Sequence, residues 1–81
     1  MDINEIIAML QSDDYKERFK GEYYLIKMKL EKLRQLLLKY ENGTLDFTPS
    51  CSLALLKNQA SVMKQYITIL ERRAEIEKVK L

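Results

Sequence analysis

Two long segments of this sequence repeat apolar residues at intervals of three and four, and a single short break separates them. In the first segment these residues are Phe19, Tyr23, Ile26, Leu30, Leu33, Leu37 and Tyr40. Such spacing keeps one face of an α-helix against a partner helix for three heptads. The pattern therefore predicts an all-α chain built on a long antiparallel helical hairpin.

The break between the two segments contains the signals that end one helix and begin another. Asn42 and Gly43 suit a left-handed helix terminus. Thr48 followed by Pro49 is a favoured combination of N-cap and first helical residue. These signals predict a connector over residues 42–49.

Cap residues also predict where the first two helices begin. Asp2 can cap a short first helix, and Asp14 can begin the next one. Gly21 interrupts that long helix at a cost of roughly 1 kcal/mol relative to alanine, which indicates either a local packing requirement or a close approach at this position. We expect a single domain, residues 1–81, with helices over 3–11, 14–41 and 49–79.

The second long segment carries two apolar faces. One face repeats Leu53, Leu56, Ala60, Met63, Ile67, Leu70 and Ala74. The other follows Leu55, Gln59, Val62, Tyr66, Ile69, Arg73 and Ile76. A helix that is apolar on two faces has to be covered on both.

The first long helix can cover only one of those faces, so the second needs either another chain or the short N-terminal helix. A single core in a chain of 81 residues stabilises a fold by only a few kcal/mol. Both arguments predict a homo-oligomer. The predicted interface residues are Leu55, Val62, Tyr66, Ile69 and Ile76.

Composition excludes several classes of function. The chain has no histidine, so we predict no catalytic residue, no metal ligand and no cofactor. Cys51 is the only cysteine, which is typical of a reducing cytoplasm. A net charge of +2 argues against duplex nucleic acid as a partner. No apolar run approaches the roughly 18 residues of a membrane span, so we expect a soluble cytoplasmic protein.

Polar side chains set into the apolar faces are the candidate functional groups. Arg73 is costly to bury unless it meets an acidic group or an anion. One interpretation is a salt bridge between subunits, from Arg73 to Glu22 or Glu31. The other is an anion pocket, in which Arg73 and a lysine bind phosphate and aromatic side chains stack on a base.

Several of these positions also carry a family resemblance. The residues are Arg18, Glu22, Leu30, Lys32 and Leu33, then Leu55, Leu56, Gln59, Met63, Tyr66, Ile69, Leu70 and Arg73. In this register they resemble a group of short phage proteins, the anti-CBASS and anti-Thoeris nucleotide sponges that share a helical-hairpin domain. The resemblance covers roughly residues 14–76.

The resemblance implies a phage immune-evasion protein of the host cytoplasm. Such a protein forms a homo-oligomer and holds cyclic nucleotide or cyclic ADP-ribose signals between its subunits, without turnover. From their positions and chemistry in this sequence, the residues predicted to bind such a ligand are Arg73, Lys32, Arg18, Tyr66, Gln59, Phe47 and Tyr40. Two alternatives remain open: a small helical inhibitor or adaptor that binds another protein, and a purely structural coiled-coil protein.

Overall fold

The computed structural model describes all residues, 1–81, and contains three helices and no strand. These are α1 (Ile3–Leu10), α2 (Tyr15–Asn42) and α3 (Leu53–Glu77). The molecule is elongated, with principal extents of 43 × 25 × 17 Å. The expected all-α class is confirmed, and no helix has the length and apolar character to cross a membrane.

Helix α1 begins at an aspartate cap and lies against α2. The Asp2 carboxylate accepts a hydrogen bond from the Glu5 amide at 2.9 Å, and Ile6 is almost fully buried. A Cβ atom placed on Gly21 would lie 2.9 Å from the backbone nitrogen of Leu10. The predicted close approach at Gly21 is therefore confirmed, and the segment that approaches is the end of α1.

Helix α2 has the cap residues that its sequence predicts. The Asp14 carboxylate accepts from the Lys16 amide at 3.0 Å. At the other end Gly43 is left-handed, with φ 71°, and its amide donates to the Tyr40 carbonyl at 3.2 Å. Glycine adopts this conformation without the steric cost that a Cβ imposes.

Helix α3 is shorter than the predicted span 49–79 at both ends, which corrects that prediction. Its N-cap is Ser52, whose hydroxyl accepts from the Leu55 amide at 3.2 Å. Thr48 and Pro49 therefore belong to the connector, which is longer than the predicted 42–49. At the far end Lys78 is left-handed, with φ 57°.

This left-handed turn brings the chain back onto the hairpin. The Val79 amide donates to the Ala74 carbonyl at 2.9 Å, and the Val79 side chain is buried. The Ala74 carbonyl in the last turn of α3 thus accepts from the turn that follows the helix.

The core lies between α2 and α3, which run antiparallel. Hydrogen bonds join Tyr23 to Glu71 and Tyr66 to Glu22, and an ion pair joins Glu41 to Lys57 near the connector. The buried residues that form one cluster are Phe19, Tyr23, Leu30, Ile67, Leu70, Ala74 and Val79. One apolar face of α3 is therefore covered by α2, as the spacing predicts.

Candidate functional site

The second apolar face of α3 is exposed along its whole length. We call the residues Leu55, Gln59, Val62, Tyr66, Ile69, Arg73 and Ile76 the outer stripe. Leu55 is 57% exposed, Ile69 58% and Ile76 76%. Helix α1 packs on α2 instead, so it does not provide the second cover. The outer stripe is therefore not covered within the single chain.

Two polar side chains of the outer stripe, Tyr66 and Arg73, have polar partners within the same chain. The Tyr66 hydroxyl donates to the Glu22 carboxylate at 2.8 Å, and this hydrogen bond is the main cause of a raised Tyr66 pKa. Arg73 Nε lies 2.7 Å from Glu77 Oε2. The Arg73 guanidinium also lies 5.1 Å from the centroid of the Phe19 ring.

These contacts show how the Arg73 charge is compensated within one chain. Its carboxylate partner is Glu77, four residues further along the same helix, and Arg73 forms no ion pair with Glu22 or Glu31. A pair at this spacing needs no second helix. The predicted pairing of Arg73 with Glu22 or Glu31 is therefore not made inside the hairpin.

A groove of about 590 Å³ opens among all three helices. Residues of α2 line most of it, and the remaining lining residues are Met1 and Ile6 near the N-terminus and Lys64, Ile67 and Glu71 of α3. Four cationic side chains border this groove: Lys27, Lys32, Arg34 and Lys64. The acidic side chains on its wall are Glu31 and Glu71.

The four cations of the groove have no carboxylate partner. The ion pairs of the chain are Lys20 with Glu17, Lys57 with Glu41, and Arg73 with Glu77. Within the groove, Glu71 accepts a hydrogen bond from Tyr23 at 2.8 Å and Glu31 accepts one from Gln35 at 3.3 Å. The groove therefore has an excess of positive charge that an anion can neutralise.

Aromatic side chains lie beside these cations. The Lys27 ammonium is 5.3 Å from the centroid of the Tyr23 ring. Tyr24, which lines the groove, packs edge-on against Tyr23 with the ring centroids 5.1 Å apart. Burial, together with the hydrogen bond to Glu71, raises the pKa of Tyr23 to about 12. Tyr23 is therefore a neutral hydrogen-bond donor at physiological pH.

The other predicted ligand residues lie elsewhere. Tyr40 and Phe47 line a small cavity of about 170 Å³ at the tip of the hairpin. Arg18 donates from Nη1 to the Ser12 carbonyl at 2.9 Å and so braces the turn between α1 and α2.

The seven predicted residues thus occupy four separate places in one chain. Arg73, Tyr66 and Gln59 lie on the outer stripe. Lys32 is the only one of the seven predicted residues that lines the groove. If they form one pocket, more than one chain must contribute to it.

The sequence reasoning missed Tyr24, Lys27, Arg34 and Lys64. A signal was present on α2, because Tyr24, Lys27 and Arg34 fall at helical spacing on one face. The contribution of Lys64 depends on how α3 packs, which the periodicity does not specify. No group of histidine, cysteine, aspartate and glutamate side chains could hold a metal ion, and Cys51 is exposed.

A family comparison bears directly on this arrangement. The model of the family described as Sequestin matches residues 13–76, more than three quarters of the chain. The chain belongs to the Sequestin family. The match spans all of α2, the connector and nearly all of α3, and it confirms the resemblance to the phage anti-CBASS and anti-Thoeris sponges. No curated protein and no solved structure matches the chain.

Membership in the Sequestin family favours binding over catalysis. The family name denotes sequestration, and the chain has no histidine to serve as a general base. Lys32, Tyr66 and Arg73 all lie inside the matched segment, whereas α1, which closes one side of the groove, lies outside it.

Proposed function

We propose that this protein sequesters a cyclic nucleotide-type immune second messenger, of the CBASS or Thoeris kind, in the host cytoplasm and without turnover. The observation that carries the proposal is the groove with four unpaired cations, in a chain that belongs to the Sequestin family. Self-association through the outer stripe is part of the same proposal.

The groove has the chemistry that a cyclic nucleotide requires. Phosphodiester groups are anionic, and Lys27, Lys32, Arg34 and Lys64 can donate charge-assisted hydrogen bonds to them. A volume of about 590 Å³ falls within the range of small-molecule sites. The half-buried ring of Tyr24 provides an aromatic surface for a base.

A pocket between subunits is a second location for the ligand. Arg73, Tyr66 and Gln59 lie on the outer stripe, which a second copy would cover. Against this location, the Arg73 charge is already compensated by Glu77. We therefore place the phosphates in the groove, with Lys32 as the one predicted residue that binds them there.

Calorimetric titration with cyclic dinucleotides, cyclic trinucleotides and cyclic ADP-ribose isomers tests the proposal. We expect at least one of these ligands to bind the wild-type protein. Lys32→Ala and Lys64→Ala should each weaken that binding about tenfold or more, because a charge-assisted hydrogen bond contributes about 1.5–3 kcal/mol.

The matched control is Lys29→Ala, which removes an exposed cation of α2 that does not line the groove. It should bind like the wild type. A loss of binding in Arg73→Ala but not in Lys32→Ala would move the ligand to the outer stripe. Absence of binding heat across the whole panel would overturn the proposed function.

Sequestration without turnover has a separate readout. After prolonged incubation, heat denaturation should release the ligand chemically unchanged, as chromatography and mass spectrometry can verify. A cleaved nucleotide among the released products would contradict a purely sequestering role.

The exposed outer stripe supports one alternative, a protein-binding inhibitor or adaptor. Its apolar residues could lie in the groove of a partner protein as an amphipathic helix does. In that case a single partner should be captured from infected-cell lysate. Ile69→Asp should abolish the capture, and Arg73→Ala should have a smaller effect.

A further inference from the structure

The outer stripe has nearly the same residue pattern in both directions from Tyr66. Gln59 and Arg73, its two strongly polar members, each lie seven positions from Tyr66. Apolar residues occupy the places between and beyond them: Val62 and Ile69 near the centre, Leu55 and Ile76 at the ends. A surface of this kind can pack against the same surface of a second copy in antiparallel orientation.

We infer that the outer stripe packs against the outer stripe of a second copy in antiparallel orientation, with the two-fold axis close to Tyr66. The inference rests on the self-association included in the proposed function and specifies its geometry. Interfaces with two-fold symmetry use the same patch on both subunits. The outer stripe offers one such continuous patch, with four apolar side chains each more than half exposed.

The position of Arg73 favours the antiparallel over the parallel orientation. In a parallel pair each residue of the stripe meets its own copy, so two Arg73 guanidinium groups, each already paired with its own Glu77, would meet in an apolar interface. Neither guanidinium can accept a hydrogen bond from the other, and buried donors without an acceptor are costly. In the antiparallel pair Arg73 instead approaches Gln59 of the partner subunit, whose amide oxygen can accept a hydrogen bond.

The pairing also leaves the ligand groove accessible. Lys64 and Glu71 line the groove from α3, and helical geometry places them roughly opposite the side of α3 that bears Tyr66. A dimer formed through the outer stripe would therefore present two open grooves, one on each subunit. Self-association and nucleotide binding can then be measured independently.

Charge substitutions at Gln59 test the orientation. In the antiparallel dimer Gln59→Glu places a carboxylate near Arg73 of the partner subunit, so sedimentation equilibrium should give a dissociation constant several-fold lower. Gln59→Lys should raise the dissociation constant several-fold. Ser61→Glu is the matched control, because it makes the same charge change as Gln59→Glu at an exposed site outside the outer stripe.

A parallel pair predicts the opposite sign, because Gln59→Glu would bring two carboxylates together. Weaker association of Gln59→Glu would therefore overturn the antiparallel geometry. Helical circular dichroism, recorded for every variant, separates a change in association from a loss of fold.

Distances between spin labels give a second, independent test. In a Cys51→Ser background, single labels at Thr68→Cys and Glu75→Cys occupy exposed sites of α3 outside the outer stripe. An antiparallel pair centred on Tyr66 offsets the two copies of each label along the helix by ~6 Å at position 68 and by ~27 Å at position 75. Pulsed electron paramagnetic resonance should therefore find a much longer distance at position 75.

Equal distances at the two positions, or no distance between chains because the protein is a monomer, would overturn the inference. Nucleotide titration of the same samples keeps the two proposals apart. Binding with the wrong label distances would refute the pairing alone. Correct distances without binding of any nucleotide would refute the ligand alone.

Discussion

At the residue scale, two tyrosine–glutamate hydrogen bonds tie α2 to α3. Tyr23 donates to Glu71 and Tyr66 donates to Glu22, both at 2.8 Å. The first is the more sheltered, since Tyr23 belongs to the core cluster. Each bond joins the tyrosine hydroxyl of one helix to a glutamate carboxylate of the other. The antiparallel register of α2 and α3 depends in part on these contacts.

The raised pKa of Tyr23, caused by burial and then by its hydrogen bond to Glu71, predicts that the free energy of unfolding falls in alkali. The pKa of Tyr23 is raised from 10.0 to about 12, so folding favours its neutral form. The resulting stability is fully present below pH 10 and is lost as the pH rises through 12. Tyr23→Phe should cost about 1 kcal/mol at neutral pH, from the lost hydrogen bond. It should also flatten the decline of stability between pH 10 and 12.

Urea denaturation as a function of pH measures both effects. Tyr40→Phe, at the tip of the hairpin, is the control and should keep the wild-type alkaline decline. An unchanged decline in Tyr23→Phe would mean that another group controls stability in this range.

Single residues also show where sequence reasoning succeeds and where it stops. The approach predicted at Gly21 is present, because a helical glycine flanked by better helix formers needs a steric reason. The partner of Arg73 was not predicted, because Glu77 at i+4 competes locally with any carboxylate brought by another helix. The sequence alone did not decide which of these pairings forms.

At the element scale, the start of α3 shows how two adequate signals compete. Thr48 with Pro49 and Ser52 with Leu53 both make acceptable helix starts. Pro49 instead lines the small cavity at the hairpin tip with Tyr40 and Phe47. Because the choice depends on how the connector packs, periodicity and cap preference could not make it.

Because Ser52 and not Thr48 caps α3, alanine substitutions at these two residues should lower the free energy of unfolding by different amounts. Ser52→Ala should destabilise the protein by about 1 kcal/mol, because the Leu55 amide loses its acceptor. Thr48→Ala should change stability far less, because Thr48 caps no helix. Equilibrium denaturation of the two variants measures this difference, and equal costs would mean that α3 begins earlier in solution.

At the scale of the whole molecule, the helical hairpin could be predicted from the sequence, but the groove could not. The hairpin follows from the apolar repeats of α2 and α3, which any helical packing must respect. The groove depends on where α1 docks and on the rotation of α3 that brings Lys64 towards Arg34 and Lys32. Both depend on how the three helices pack together, which the apolar repeat of any one helix does not specify.

The thin core of the hairpin leads to a prediction about the whole assembly. Only 10 of 81 residues are buried in the single chain, which leaves a small margin of stability for an isolated molecule. If the outer stripe is covered by a second copy, unfolding is coupled to dissociation. The thermal midpoint should then rise with protein concentration, because a hundredfold increase stabilises a dimer by about 2.7 kcal/mol.

Differential scanning calorimetry over that concentration range, with two variants, decides whether the outer stripe is responsible. Ile69→Asp should give a lower midpoint that no longer depends on concentration, because a charge replaces an apolar side chain that is 58% exposed in the single chain. Leu38→Asp is the matched control, since Leu38 is 60% exposed on α2, outside the outer stripe. It should keep the wild-type dependence. A wild-type midpoint that does not change with concentration would show that the isolated hairpin is stable despite its exposed stripe.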